Sequence, residues 1–180
     1  MALDQNKEKP HDILSDLLKE ELKAVNQLIH ERMTSEYAPR IPEIASHLID
    51  AGGKKLRPLL TLATAKMCGY QGSYHIYLAA IVEFIHTATL LHDDVVDESD
   101  QRRGKPSANL LWDNKSSVLV GDYLFSRSFQ LIIDKLRACD GARVVRMSGS
   151  GATCFALFDD FGLLVSAQNK VSKDCPSFWC

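Results

Sequence analysis

The 180-residue sequence predicts an all-α fold with a short β-like tail, on three observations. Apolar residues recur at helical spacing over most of the first 134 positions. Strand-type segments are short and occur only after residue 140, around a glycine-rich turn. The composition, 46% hydrophobic and 24% charged with a net charge of −2, is that of a soluble globular chain with room for one domain.

From Pro10 to Met33 the residues Ile13, Leu14, Leu17, Leu18, Leu22, Val25, Leu28 and Ile29 keep helical spacing with charges between them, which predicts one amphipathic helix. Gly52-Gly53 interrupts. Pro58 then suits the first turn of a helix carrying Leu59, Leu60, Leu62 and Ala63 and ending near Gly69. Ser73 is placed to cap the next helix, Tyr74 to about Asp97, whose apolar residues lie nearly all round and so assign it the centre of the domain. A polar stretch covers 98–109, and helical spacing returns from Ser116 to Ile133. Segments 142–147 and 153–158 read as strand, glycine turn, strand. Residues 166–180 show no periodicity and are expected to lie loose.

A pI near 6.3 gives no electrostatic footprint for nucleic acid. The basic residues cluster only at Lys54-Lys55-Leu56-Arg57 and Arg102-Arg103-Gly104-Lys105. No 18 apolar residues run without a charge, so no transmembrane segment is expected, and the polar N-terminus reads as cytoplasmic. The five cysteines are odd in number and never fall in a CxxC spacing, against a disulfide framework or a zinc knuckle.

Asp93, Asp94 and Asp97 stand at the end of the central helix, with Asp93 and Asp97 one turn apart on one face. Repulsion among three such acids calls for a cation, and Mg²⁺ suits them because it takes hard oxygen ligands and is completed by substrate phosphates. A solvated helix end is the plain alternative for such a motif standing alone. Two adjacent guanidiniums, Arg102 and Arg103, follow within a short loop, and arginine matches phosphate oxygens in a planar, bidentate fashion. The Gly52-Gly53-Lys54-Lys55-Leu56-Arg57-Pro58 turn enters a helix, where free N–H groups favour an anion, although a solvated turn has the same composition. His86 lies two helical turns before Asp93 and can face the same cleft, or be a hydrogen-bonded core histidine. For His92 the core reading is the better one.

Together these residues resemble the trans-isoprenyl diphosphate synthases, the head-to-tail prenyltransferases of the all-α isoprenoid synthase fold. Three ordered signatures carry the resemblance: GGKKLRP at 52–58, EFIHTATLLHDDVVD at 83–97 and QRRGKPSAN at 101–109, with LVGDYLFSRSFQL at 119–131 similar to the next family helix. The resemblance implies that Asp93 and Asp97, with Asp94, hold Mg²⁺ on an allylic diphosphate that Arg102 also contacts. It implies that Lys54, Arg57, His86 and Arg103 bind the diphosphate of isopentenyl diphosphate. Short-chain members often carry a bulky aromatic four or five residues before the first aspartate. Here those positions are Thr89 and Ala88, which implies an open channel and a long product of the octaprenyl type; close helix packing is the other use for an alanine there. The family is commonly dimeric, so a homodimer or a dimer with a full-length synthase is expected.

Residues 1–134 are thus expected to be the N-terminal part of a polyprenyl diphosphate synthase. Family members are longer and carry a second aspartate-rich motif that is absent here, since Phe158-Asp159-Asp160-Phe161 lacks the third acid. A truncated bundle with little activity alone is the expectation, and a non-catalytic partner subunit or a non-functional fusion fragment is the alternative. A terpene cyclase would not need the basic turn and paired arginines. Residues 137–160 resemble the C-terminal glycine-rich motif of cytidyl-methylerythritol kinases, so 135–165 is read as a fragment unrelated to the synthase. No nucleotide loop accompanies it.

Overall fold

The computed structural model describes residues 9–35, 38–149 and 153–174. Eight helices and two separate two-stranded antiparallel hairpins occur among the described residues, and the fold is all-α.

The stretch expected as one helix is two: α1 (Pro10–Leu17) and α2 (Lys19–Met33). The chain leaves helical geometry at Leu18 (φ −113°, ψ 21°), a residue only 1% exposed that stays in the core. A helix not anticipated from the sequence, α3 (Arg40–Ile49), buries Ile44, Ala45, Leu48 and Ile49. Helix α4 (Leu56–Met67) accepts Pro58 in its first turn, where the missing N–H costs nothing.

Helix α5 (Tyr74–Val96) is the central element, packed against α2, α4 and α7. Ser73 does not cap it. The Tyr70 hydroxyl instead accepts a hydrogen bond from Tyr74 N at 3.3 Å. By length and composition α5 could cross a bilayer, but here its apolar side chains share one core with the neighbouring helices. After it come β1 (Gln101–Arg102), β2 (Lys105–Pro106), the single turn α6 (Ala108–Leu111) and α7 (Asn114–Arg137). Asp113 caps α7 by accepting from Ser116 N at 2.6 Å.

Close approach of α5 and α7 depends on small residues. A Cβ on Gly121 would lie 2.3 Å from His92 Nε2 and 3.2 Å from the Ala88 carbonyl oxygen. Ser117 Oγ donates to the Leu91 carbonyl at 3.0 Å, which ties the two helices at the level of the acidic motif.

The tail forms β3 (Ala142–Met147) and β4 (Cys154–Phe158), paired antiparallel and docked on α7 through the buried Val145. Most of the glycine turn between them lies outside the described residues. The expected loose segment from 166 onward is corrected over 166–174: α8 (Phe161–Asp174) is helical. Its first turn is held by Asp160 Oδ1, which accepts from Leu163 N at 2.8 Å, and Ala167 is buried. Docking on the hairpin stabilises a helix whose own periodicity is weak. Residues 175–180 lie outside the described residues.

Candidate functional site

Two basic clusters far apart in sequence meet at one cavity. Gly52 turns the chain with φ +80°, and Lys55 takes a left-handed conformation (φ 41°, ψ 41°) before α4 begins. Across from this turn, the β1–β2 hairpin reverses through Arg103 and Gly104, both at positive φ (54° and 77°), as a two-residue hairpin turn requires. A non-glycine residue there costs about 1 kcal/mol, which the hairpin bears at the residue that carries the charge. The guanidinium of Arg103 donates to the Gly52 carbonyl and fills the space a side chain at position 53 would need, 2.6 Å from an added Cβ. A side chain at position 53 would therefore have to push the end of Arg103 aside. Lys54, Lys55, Leu56, Arg57, Glu83, His86 and Arg103 line the resulting cavity of about 140 Å³.

Two histidines hold the walls. His11 Nε2 donates to the Lys54 carbonyl at 2.8 Å, and His47 Nε2 donates to the Pro106 carbonyl at 2.9 Å while its ring meets Trp112 edge-on at 5.3 Å. The Lys54 carbonyl, with Asp12 beside it, raises the pKa of His11. Lys55 Nζ donates to Asn26 Oδ1 on α2, so this lysine is braced from behind. Sequence reasoning missed His11, Asn26, His47 and Glu83, because each acquires its role only through a distant partner.

At the end of α5 the three acids part company. Asp93 and Asp97 are exposed, and neither forms an ion pair among the described residues. Asp94 is 0% exposed; its Oδ1 accepts from Arg102 Nε at 2.9 Å and also from Arg102 Nη2, while Oδ2 is buried without a partner. This placement departs from a three-acid metal set. The pairing raises the pKa of Arg102, with Asp93 and Asp97 adding to the effect. Among the described residues no three His, Cys, Asp or Glu side chains converge on one point. Two exposed carboxylates one turn apart still suit Mg²⁺, which is commonly held by one or two carboxylates with water and phosphate oxygens completing the shell.

His86 joins the two halves. Burial lowers its pKa first, and Arg57, Arg103 and Arg102 lower it further against the opposing field of Asp93. His92 lies elsewhere, with Nε2 3.2 Å from the Val118 carbonyl and 3.4 Å from Asp122, and serves the α5–α7 contact. Ala88 is buried, with its carbonyl oxygen facing Gly121 across that same seam, whereas Thr89 is exposed and donates to the His86 carbonyl at 2.8 Å. Asp159 pairs with Arg143 at 2.7 Å and Asp160 caps α8, so both tail acids have local partners.

A family model described as polyprenyl synthetase matches residues 38–157. The chain is 44% identical to the octaprenyl diphosphate synthase of Escherichia coli over 119 residues, which are 66% of this chain and 36% of that enzyme. A decaprenyl diphosphate synthase structure from Rhodobacter capsulatus superposes with a TM-score of 0.69 at 72% identity, covering 70% of this chain and 39% of that one. A polyprenyl synthase from Caulobacter crescentus, solved with calcium and isoprenyl diphosphate, gives 0.68 at 52% identity, over 72% and 39%. The chain thus spans little more than a third of these relatives.

Proposed function

This chain belongs to the polyprenyl synthetase family, and we propose that it carries the first-motif half of a Mg²⁺-dependent, long-chain polyprenyl diphosphate synthase site. The observation that carries the reading is the meeting of Lys54, Arg57, His86 and Arg103 at one cavity beside the exposed Asp93 and Asp97.

In this reading the cavity takes the diphosphate of isopentenyl diphosphate, and Asp93 with Asp97 hold Mg²⁺, which supplies neutralisation of charge on the leaving diphosphate. Asp94 is not a ligand. It fixes Arg102 so that the rest of the guanidinium is presented to the allylic diphosphate. The allylic carbon–oxygen bond breaks, the isopentenyl double bond attacks the resulting cation, and a proton leaves. Arg102 and the basic cavity hold the two diphosphates while this happens. Of the two positions, Thr89 is the exposed one and the better placed to meet a growing tail, whereas Ala88 is buried.

The second aspartate-rich motif is absent from these 180 residues, so turnover by them alone is expected to be very low. Dimerisation, with a second copy or a full-length synthase in the cytoplasm, belongs to the same reading.

Equilibrium dialysis with isopentenyl diphosphate in EDTA tests the cavity assignment. Retention by the wild-type chain, weakened about tenfold or more in Arg57→Ala and Arg103→Ala through loss of a charge-assisted contact each, is expected. Equal retention by all three proteins contradicts it.

A further inference from the structure

Glu83 sits in the wall of the basic cavity and is not accounted for by diphosphate binding. It is 6% exposed, on the same face of α5 as His86, and the cationic side chains of Lys54 and Lys55 on the turn, Arg57 on α4 and Arg103 on the hairpin line the same space. A carboxylate in an anion site opposes the ligand unless it is protonated. We propose that Glu83, a carboxyl buried in the wall among these cations, takes up one proton when a diphosphate occupies the cavity. The proposal rests on the diphosphate reading of this cavity and adds a proton-linked step to it.

The physical argument compares two states of one group. With the cavity empty, Lys55, Arg103 and Arg57 favour the carboxylate, in that order, while burial acts against it more strongly and its pKa is raised. When a polyanion engages those cations, their stabilising field at Glu83 is cancelled and burial remains. The neutral acid then becomes the favoured form, and it can donate a hydrogen bond where the carboxylate could only repel. His86, the other titratable group in the wall, is also biased toward its neutral form and would respond in the same direction, so the two must be separated by substitution. Asp93 stands beyond His86 and acts on it rather than on Glu83. The proton balance is simple: one proton passes from solvent to the Glu83 carboxylate on binding and returns on release.

The probe is inorganic pyrophosphate in EDTA, which confines it to the basic cavity. Calorimetry at one pH in two buffers of different ionisation enthalpy counts the protons taken up, and comparing variants removes the ligand's own ionisation. The wild-type chain is expected to take up more protons per pyrophosphate than Glu83→Gln, by up to about one, and His86→Gln is expected to keep that difference. Glu83→Gln is expected to bind more tightly above neutral pH, by roughly tenfold for each pKa unit that binding shifts the group. Infrared difference spectra of the wild-type chain give a reading independent of any variant: a protonated carboxyl band should appear on adding pyrophosphate. Equal proton counts with weaker binding in Glu83→Gln would make Glu83 a brace for the cations and overturn the proposal, as would uptake lost only in His86→Gln. If neither wild type nor Glu83→Gln binds pyrophosphate, the diphosphate reading of the cavity falls, and the proposal with it.

Discussion

Asp94 and Arg102 show how a single burial decides a role. Two aspartates adjacent in sequence point in different directions from α5, and the inward one is spent on a guanidinium that is 28% exposed. Removing one partner of a buried pair strands the other, so Asp94→Ala is expected to lower stability by about 2–3 kcal/mol, below the fully buried limit because water still reaches Arg102. Asp93→Asn, on the exposed side, should change stability by no more than about 0.5 kcal/mol. Urea midpoints of the two variants at neutral pH without metal check this, and equal losses would remove the distinction between positioning acid and metal ligand. Lys54, Arg57, His86 and Arg103 were legible in the sequence because their spacing within short motifs brings a family pattern with it. Glu83, His11 and His47 were not. The partner of His11 is 43 residues away and that of His47 is 59 away, and no local pattern encodes such contacts.

At the level of elements, α5 and α7 were legible because they are long and strongly periodic, while the boundaries between shorter elements depended on what packs against them. Leu18 breaks a continuous helical pattern because the core claims it, and α3 was overlooked although Ile41, Ile44, Ala45 and Leu48 keep helical spacing around Pro42. Helix α8 needed the Asp160 cap and the hairpin beneath it. The α5–α7 seam brings the acidic motif and the following helix together, and its tightest point is Gly121 against His92. Gly121→Ala is expected to cost about 1–3 kcal/mol by overpacking, since the imidazole must move and the Ala88 carbonyl cannot easily follow. The His92→Ala background should recover a substantial part of that loss, on the order of 1 kcal/mol of coupling between residues in contact. A double-mutant cycle from thermal or urea melts measures it. Strict additivity would show that the seam is held elsewhere.

Taken whole, the molecule presents a basic cavity and an exposed acidic pair on one side, and apolar side chains at Leu119 and Phe125 on α7 and at Leu157 and Phe161 in the tail. It spans little more than a third of the relatives it matches, and its own sequence supplies the first acidic motif but not the second. Binding and turnover should therefore separate: the chain is expected to recognise diphosphates yet form no prenyl product above an Asp93→Asn, Asp97→Asn control, because only part of the charge that develops on the leaving group can be met. The most direct measurement is calorimetric titration of an allylic diphosphate into the intact chain, with Mg²⁺ and with EDTA, for the wild type and for that double variant. Wild-type binding that strengthens at least about tenfold with Mg²⁺, together with a double variant indifferent to the metal, is the predicted result. Equal affinity with and without the metal in the wild-type chain would contradict the assignment of Asp93 and Asp97.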